Sequence, residues 1–366
     1  MRTFLKIVLG SFLIYFASWY FLFKTNINTL PIQSEDTVST IFTSVAIIKD
    51  HSLYIDKYYQ MLIQRYPHPD DKNQLKGLTP FYLKKVGDHY LTAFPIITSI
   101  VALPVFIPII LGAPITWDNL IILSHIASSL IMAITVWFFY LLLRKKIKLN
   151  ENQTNLLTII FAFGTINFAM FSQALWQYGT LQLFLILGLY FSYSQNLFLS
   201  GFFSGLAFLT RPTSLLPVVF YPVFNYFYVS GNKQKFNLNR IVSFVFGVLV
   251  TLLFFYWYNN TFYKDISNQG YAAQLFGSWL SHFPEGFLGI WISPSKGVLV
   301  FSPVFVFSIF GFYISVINAL SLVKTKKSVD KPLKNIEKTN TLYTNLTYIF
   351  FGLIVFAHTF VMGFWK

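Results

Sequence analysis

The sequence predicts an all-α polytopic membrane protein with about nine crossings and a large polar loop after the first. Three observations predict it. Apolar residues make up 55% of the chain and charged residues only 11%. Mean hydropathy is +0.57, and apolar runs near the roughly 20 residues needed to cross a bilayer recur along the chain. Polar chemistry is concentrated: of the thirteen acidic residues, Glu35, Asp36, Asp50, Asp56, Asp70, Asp71 and Asp88 fall in one stretch after the first apolar run. A cluster there points to a site at the membrane face. The 43 phenylalanines, alongside many Ile, Asn and Lys, read as coding bias rather than as a binding surface. Absence of cysteine excludes disulfides, thiolate catalysis and Cys-ligated zinc or iron–sulfur sites.

Taken in order, Phe4–Phe23 is too long for a signal-peptide core, and no small-residue cleavage site precedes the polar Thr25–Gln33 stretch, so 1–24 reads as a retained first crossing. Residues 25–118 read as an outer loop with interfacial or re-entrant segments, a cap over the active site. Within it, Val38–Ile48 carries the amphipathic pattern of a helix lying in the interface, and Asp36 suits its N-cap. The segment Ala93–Gly112 is apolar but contains Pro95, Pro104 and Pro108, with Pro114 following. Further crossings are expected at 119–143, 154–171, 178–195, 197–210, 213–229, 241–258, 297–320 and 345–365, so that 119–366 forms a helical bundle.

Charge decides how 93–112 is read. If it does not cross, the loops Arg144–Lys148, Lys233–Arg240 and Lys324–Lys338 share a side with Arg2 and Lys6. That side then holds 15 Lys and Arg against 3 acids, and the other 12 against 10, which together give the net +14. The positive-inside rule favours this layout, with the N-terminus cytoplasmic. If 93–112 crossed, those loops would lie opposite Arg2 and Lys6, and the prolines would sit within a lipid-facing helix. The basic loops then serve as orientation signals and contacts to membrane lipid, and nucleic acid is not needed to explain a pI near 9.6.

The outer face then holds 25–92, 259–296 and the short turns Ser172–Tyr178 and Thr210–Pro212. All thirteen acids lie outside the expected crossings, so no intramembrane carboxylate marks ion-coupled transport. An acid beside Thr37 at a helix start has two readings, a structural cap or a general base that takes a proton from an acceptor hydroxyl while an activated sugar leaves a lipid phosphate.

A series of segments carries a family resemblance: Glu35-Asp36-Thr37; Leu53-Tyr54-Ile55-Asp56; Pro80-Phe81-Tyr82-Leu83-Lys84-Lys85-Val86-Gly87-Asp88-His89-Tyr90; Ala93-Phe94-Pro95; Gly164-Thr165; Ser172-Gln173-Ala174-Leu175-Trp176-Gln177; Gly205 to Thr213 with its Thr210-Arg211-Pro212; Tyr258-Asn259; Ser293-Pro294-Ser295-Lys296-Gly297; and Phe301-Ser302-Pro303. The series resembles the GT-C membrane glycosyltransferases, most of all bacterial and archaeal relatives of the protein O-mannosyltransferase and lipid-A aminoarabinose transferase group. The resemblance implies a GT-C-like helical bundle, a polyprenyl-phosphate sugar donor, a glycan, lipid or protein acceptor, inversion at the anomeric carbon, and a catalytic carboxylate in the first outer loop. Asp36 occupies the matching position, with Glu35 as its neighbouring alternative. The implied location is the cell membrane, multi-pass, with the site on the outer face. It also implies an outer segment beyond Gly363-Phe364-Trp365-Lys366, where this sequence stops short, so a truncated, inactive relative stays among the readings, as does a non-enzymatic lipid or solute transporter.

Other residues carry paired readings. Arg211, beside Pro212 at the outer end of a crossing, is either a lipid-phosphate contact or a snorkelling anchor. Lys296 has the same alternatives. Lys84 and Lys85, near His89 and Tyr90, could neutralise donor phosphate or be solvated loop charges. Gln173, Trp176 and Gln177 offer amides beside an aromatic face suited to a sugar ring, although Trp is an ordinary interfacial anchor. Tyr178 stands where relatives carry His, which puts a proton-transfer role there in doubt. Glu285 with His282 could position an acceptor, but two residues three apart do not make a metal site. His125 and His358 lie within expected crossings and read as packed residues. No Gly-rich phosphate loop or Asp-x-Asp pair stands out, so no nucleotide cofactor is expected, while a divalent metal is left open.

Overall fold

Where apolar residues run unbroken, the chain forms long helices; where proline or polar clusters interrupt them, it forms short ones. The computed structural model describes residues 2–25, 27, 32, 34–215, 218–223, 238–266, 283–295, 297–325 and 332–364. Among the described residues, five helices are long and apolar enough to cross a membrane: Thr3–Lys24, Trp117–Ile147, Leu238–Tyr263, Phe305–Leu322 and Thr344–Met362. Of the other expected crossings, 154–171 is divided between Glu151–Phe163 and a widened turn at Asn167–Phe171, and 178–195 forms Gln177–Tyr193. The 197–210 segment is a 14-residue helix, about 21 Å long at 1.5 Å per residue. Residues 216–217 and 224–229 of the 213–229 segment lie outside the described residues.

Two compact units divide the chain. The first comprises 1–186, 206–212 and 251–272. In it α1 (Arg2–Lys24) packs on the helix Trp117–Leu141, which continues to Ile147. Tyr15, Met132, Val136 and Ala162 form their shared core, and the Tyr15 hydroxyl donates to Ala162 O at 2.9 Å. Trp19 stacks on His125 at 3.8 Å, so this histidine is a packed ring, as its place in an apolar run suggests.

Between these two helices in sequence lies a folded polar lobe. It contains α2 (Asp36–Val45), α3 (Tyr59–Arg65), the strands β1 (Leu83–Val86) and β2 (His89–Thr92), and the short helices α4 (Ile97–Ala102) and α5 (Ile107–Ile110). The helix Trp117–Leu141 is α6, Glu151–Phe163 is α7, Gln177–Tyr193 is α8 and Leu197–Thr210 is α9.

The lobe departs from the sequence-based expectation in three ways. First, the amphipathic pattern over Val38–Ile48 leaves no exposed face on α2: every residue from Thr37 to Val45 is buried within the protein. Its polar face is covered because short hydroxyls find partners there. Ser44 donates to Thr40 O and Ser99 O, Ser99 donates to Thr40 O, and Thr92 donates to Ser39 Oγ. Second, Asp36 is the first residue of the helix rather than its cap; Glu35 holds the cap position and makes no side-chain capping bond. Third, the all-α expectation omits a two-stranded antiparallel hairpin in which Val86 pairs with His89. Gly87 at φ +60° occupies the first central turn position, as a type II′ turn requires. The ambiguous 93–112 segment is broken into α4, a tight turn at Leu103–Phe106 and α5, with Pro104 and Pro108 at the breaks.

The second unit comprises 187–205, 213–250 and 273–366. It holds most of α10 (Leu238–Tyr258), together with α11 (Phe283–Ile292), α12 (Val298–Phe301), α13 (Phe305–Thr325) and α14 (Pro332–Met362). Here Arg240 donates to Gln195 Oε1 at 2.6 Å. Gly201 and Gly247 let two helix backbones nearly touch: a Cβ on Gly201 would lie 2.0 Å from Phe244 O.

Candidate functional site: an acid and a guanidinium at the edge of the lobe

Asp36 sits half-buried where the chain enters α2. Burial pushes its carboxyl above the usual carboxylate range; the Arg211 guanidinium, the Ser34 hydroxyl and the helix's own N–H pull it back. Glu35 is raised as well, first by burial and then by the charge of Asp36. Burial, followed by the Glu35 charge, pushes the Tyr82 phenol up. The result is a carboxylate more basic than an ordinary aspartate, kept within the field of a permanent cation.

Arg211 is placed by the end of α9. Its backbone N–H donates to Ala207 O at 3.0 Å, the last helical bond, and Pro212 prevents continuation. A cation at a helix C-terminus is favoured by the helix dipole. Its guanidinium carbon lies 4.1 Å from the Tyr178 ring centroid, within cation–π range. Flanking Arg211, Leu209 and Pro212 line a narrow apolar cleft with Phe94, Pro95, Tyr258 and Asn259. Three segments distant in sequence, Ala93-Phe94-Pro95, Thr210-Arg211-Pro212 and Tyr258-Asn259, thus meet around one place.

The remaining candidates divide. Lys84 reaches Asp265 at 3.8 Å and lies 5.4 Å from the Tyr263 ring centroid, and Lys85 is 5.7 Å from that of Tyr90. His89 Nδ1 bonds Asp56 Oδ2 at 2.7 Å and its ring stacks on Tyr54 at 4.1 Å. Tyr90 donates its N–H to Asp56 Oδ1 at 2.6 Å and stacks on Tyr59. Asp56 therefore anchors the hairpin, a role that sequence reasoning misses because its partners lie 33 and 34 residues away. Gln173 is buried, with its amide donating to Tyr15 O and Ser172 Oγ, which places it in helix packing. Gln177 is buried at the start of α8. Trp176 stands edge-on to Tyr178 at 6.0 Å, and its indole N–H has no hydrogen-bond partner among the described residues. Glu285 is exposed on α11 in the second unit. Lys296 and His282 lie outside the described residues. Among the described residues no group of three or more His, Cys, Asp or Glu side chains could hold a metal ion.

Fold and site together define a mainly helical protein with membrane-length helices and an acid–guanidinium site beside an apolar cleft. No family model matches the chain, and neither curated proteins nor solved structures give a match.

Proposed function

We propose that this chain is a membrane glycosyltransferase of the GT-C type that moves a sugar from a polyprenyl phosphate to an acceptor hydroxyl at the outer face of the cell membrane. The observation that supports the reading is that the half-buried Asp36 carboxyl lies in the field of Arg211, whose sequence neighbour Pro212 lines an apolar cleft where three of the resembling segments meet. In the proposed reaction Asp36 takes the proton of the acceptor hydroxyl as its oxygen attacks the anomeric carbon. The bond from that carbon to the phosphate oxygen breaks on the opposite face, so configuration inverts. The electron pair leaves on the lipid phosphate, whose charge Arg211 meets with paired N–H donors. Burial supports the base role, because a raised carboxyl is the stronger proton acceptor.

Transfer of radiolabel from a panel of polyprenyl-phosphate sugars, with the purified chain in lipid, tests this reading. Product from the unmodified chain and a loss of about 10²–10⁴-fold in Asp36→Asn are expected. Full turnover by a folded Asp36→Asn variant would sink the base assignment. No product with any donor, together with substrate flux across sealed vesicles, would replace the enzyme by a transporter.

A further inference from the structure

Arg211 does not stand on a single aromatic ring. Tyr178, which lies beneath it, is itself stacked on Phe171, with centroids 5.4 Å apart and planes 5° from parallel. Trp176 closes one edge at 6.0 Å and 78°. Phe171 ends the widened turn Asn167–Phe171, and Tyr178 is the second residue of α8, so two elements hold the column. A guanidinium on a ring face uses its flat surface for stacking and keeps its in-plane N–H donors for hydrogen bonding. A long, flexible side chain without that support samples many rotamers, and ordering it on ligand binding costs free energy.

We infer that Tyr178 is a positioning residue: the Phe171–Tyr178 column fixes the Arg211 guanidinium in the orientation that receives a phosphate monoester head group. The inference deepens the proposed function and rests on it, since this monoester is the polyprenyl phosphate that leaves when the sugar is transferred. The ring face supplies the support and the phenol hydroxyl does not.

Two measurements separate this inference from the reading on which it rests. The first needs no ligand: the full chain in phosphatidylcholine nanodiscs is treated with phenylglyoxal and modification at Arg211 is followed by peptide mass spectrometry. Tyr178→Leu should raise the rate at Arg211 about three- to tenfold, with no change at Arg65, while Tyr178→Phe should match the unmodified chain. An unchanged rate in Tyr178→Leu, or an equal rise in Tyr178→Phe, would overturn the column. The second is a titration with farnesyl phosphate read by tryptophan fluorescence. Affinity should fall about three- to tenfold in Tyr178→Leu and hold in Tyr178→Phe. In an Arg211→Gln background Tyr178→Leu should have no further effect; an equal loss there would overturn positioning through Arg211. If the unmodified chain binds no farnesyl phosphate while the phenylglyoxal pattern is as expected, the column stands and both its phosphate role and the proposed donor site fall.

Discussion

At the scale of single residues, two aspartates of the polar lobe are held in opposite ways, and the difference gives opposite pH signatures. Asp36 is raised, chiefly by burial. A group raised above its unfolded value contributes stability that is fully present below the unfolded pKa and lost as pH rises through the folded one. Asp36 therefore costs the fold increasingly as pH rises from acid toward neutral, and Asp36→Asn should raise the thermal midpoint at neutral pH, with the gain vanishing at acid pH. Asp50 is also pushed up by burial, but bonds from Lys57 at 2.6 Å and from the Tyr58 hydroxyl at 2.7 Å outweigh it and leave the carboxyl lowered. Its contribution is present above the unfolded pKa and lost as pH falls through the folded value. Asp50→Asn should thus lower the midpoint at neutral pH and converge with the unmodified chain in acid. Midpoints of the two variants that move in the same direction between acid and neutral pH would contradict this assignment. A variant that gains stability and loses activity marks a residue retained for chemistry.

At the scale of elements, glycine decides which helices can approach. A methyl at Gly201 would meet Phe244 O at 2.0 Å, and one at Gly247 would meet Phe198 O at 2.2 Å. Both clashes are with backbone, so no rotamer relieves them. Gly201→Ala should cost roughly 1–3 kcal/mol through helix separation. A methyl at Gly311, within α13, would meet nothing within 4 Å, and Gly311→Ala should be neutral or stabilising by up to about 1 kcal/mol from helix propensity alone. Reversible unfolding in mixed micelles would read both; equal effects would refute the close-crossing account. In the polar lobe, α2 shows a different solution to burial. A run of Ser and Thr reads as a polar face, but Thr43 and Ser44 bond carbonyls one turn back and Ser44 also reaches across to α4, so the whole helix can be enclosed.

At the scale of the whole chain, the proposed topology turns on the segment 93–112. Three short helical pieces interrupted at Pro104 and Pro108 make up this segment, and the proposed layout has it turn back, with the polar lobe on one side and Arg144–Lys148 on the other. The absence of cysteine makes a direct test simple. Single reporters Lys72→Cys and Lys145→Cys, both at exposed positions, should react with a membrane-impermeant maleimide from opposite sides, Lys72→Cys in intact cells and Lys145→Cys only after permeabilisation. Labelling of both in intact cells would mean that 93–112 crosses.

Sequence alone determined the helical class, the long apolar spans, the proline breaks and the placement of acids beside the first span, because each depends on composition or on local spacing that a single segment carries. The hairpin at 83–92 is legible in part, from the Gly87-Asp88 turn signal, although an all-α expectation passes over it. Tertiary structure decided the rest. Tyr178 and Arg211 lie 33 positions apart, as do Asp56 and His89, and no local pattern announces that either pair will meet. Burial of α2, the raised carboxyl of Asp36 and the aromatic column under Arg211 all arise from surfaces supplied by distant segments. Desolvation and stacking depend on what surrounds a side chain, and that is fixed only when the chain has folded.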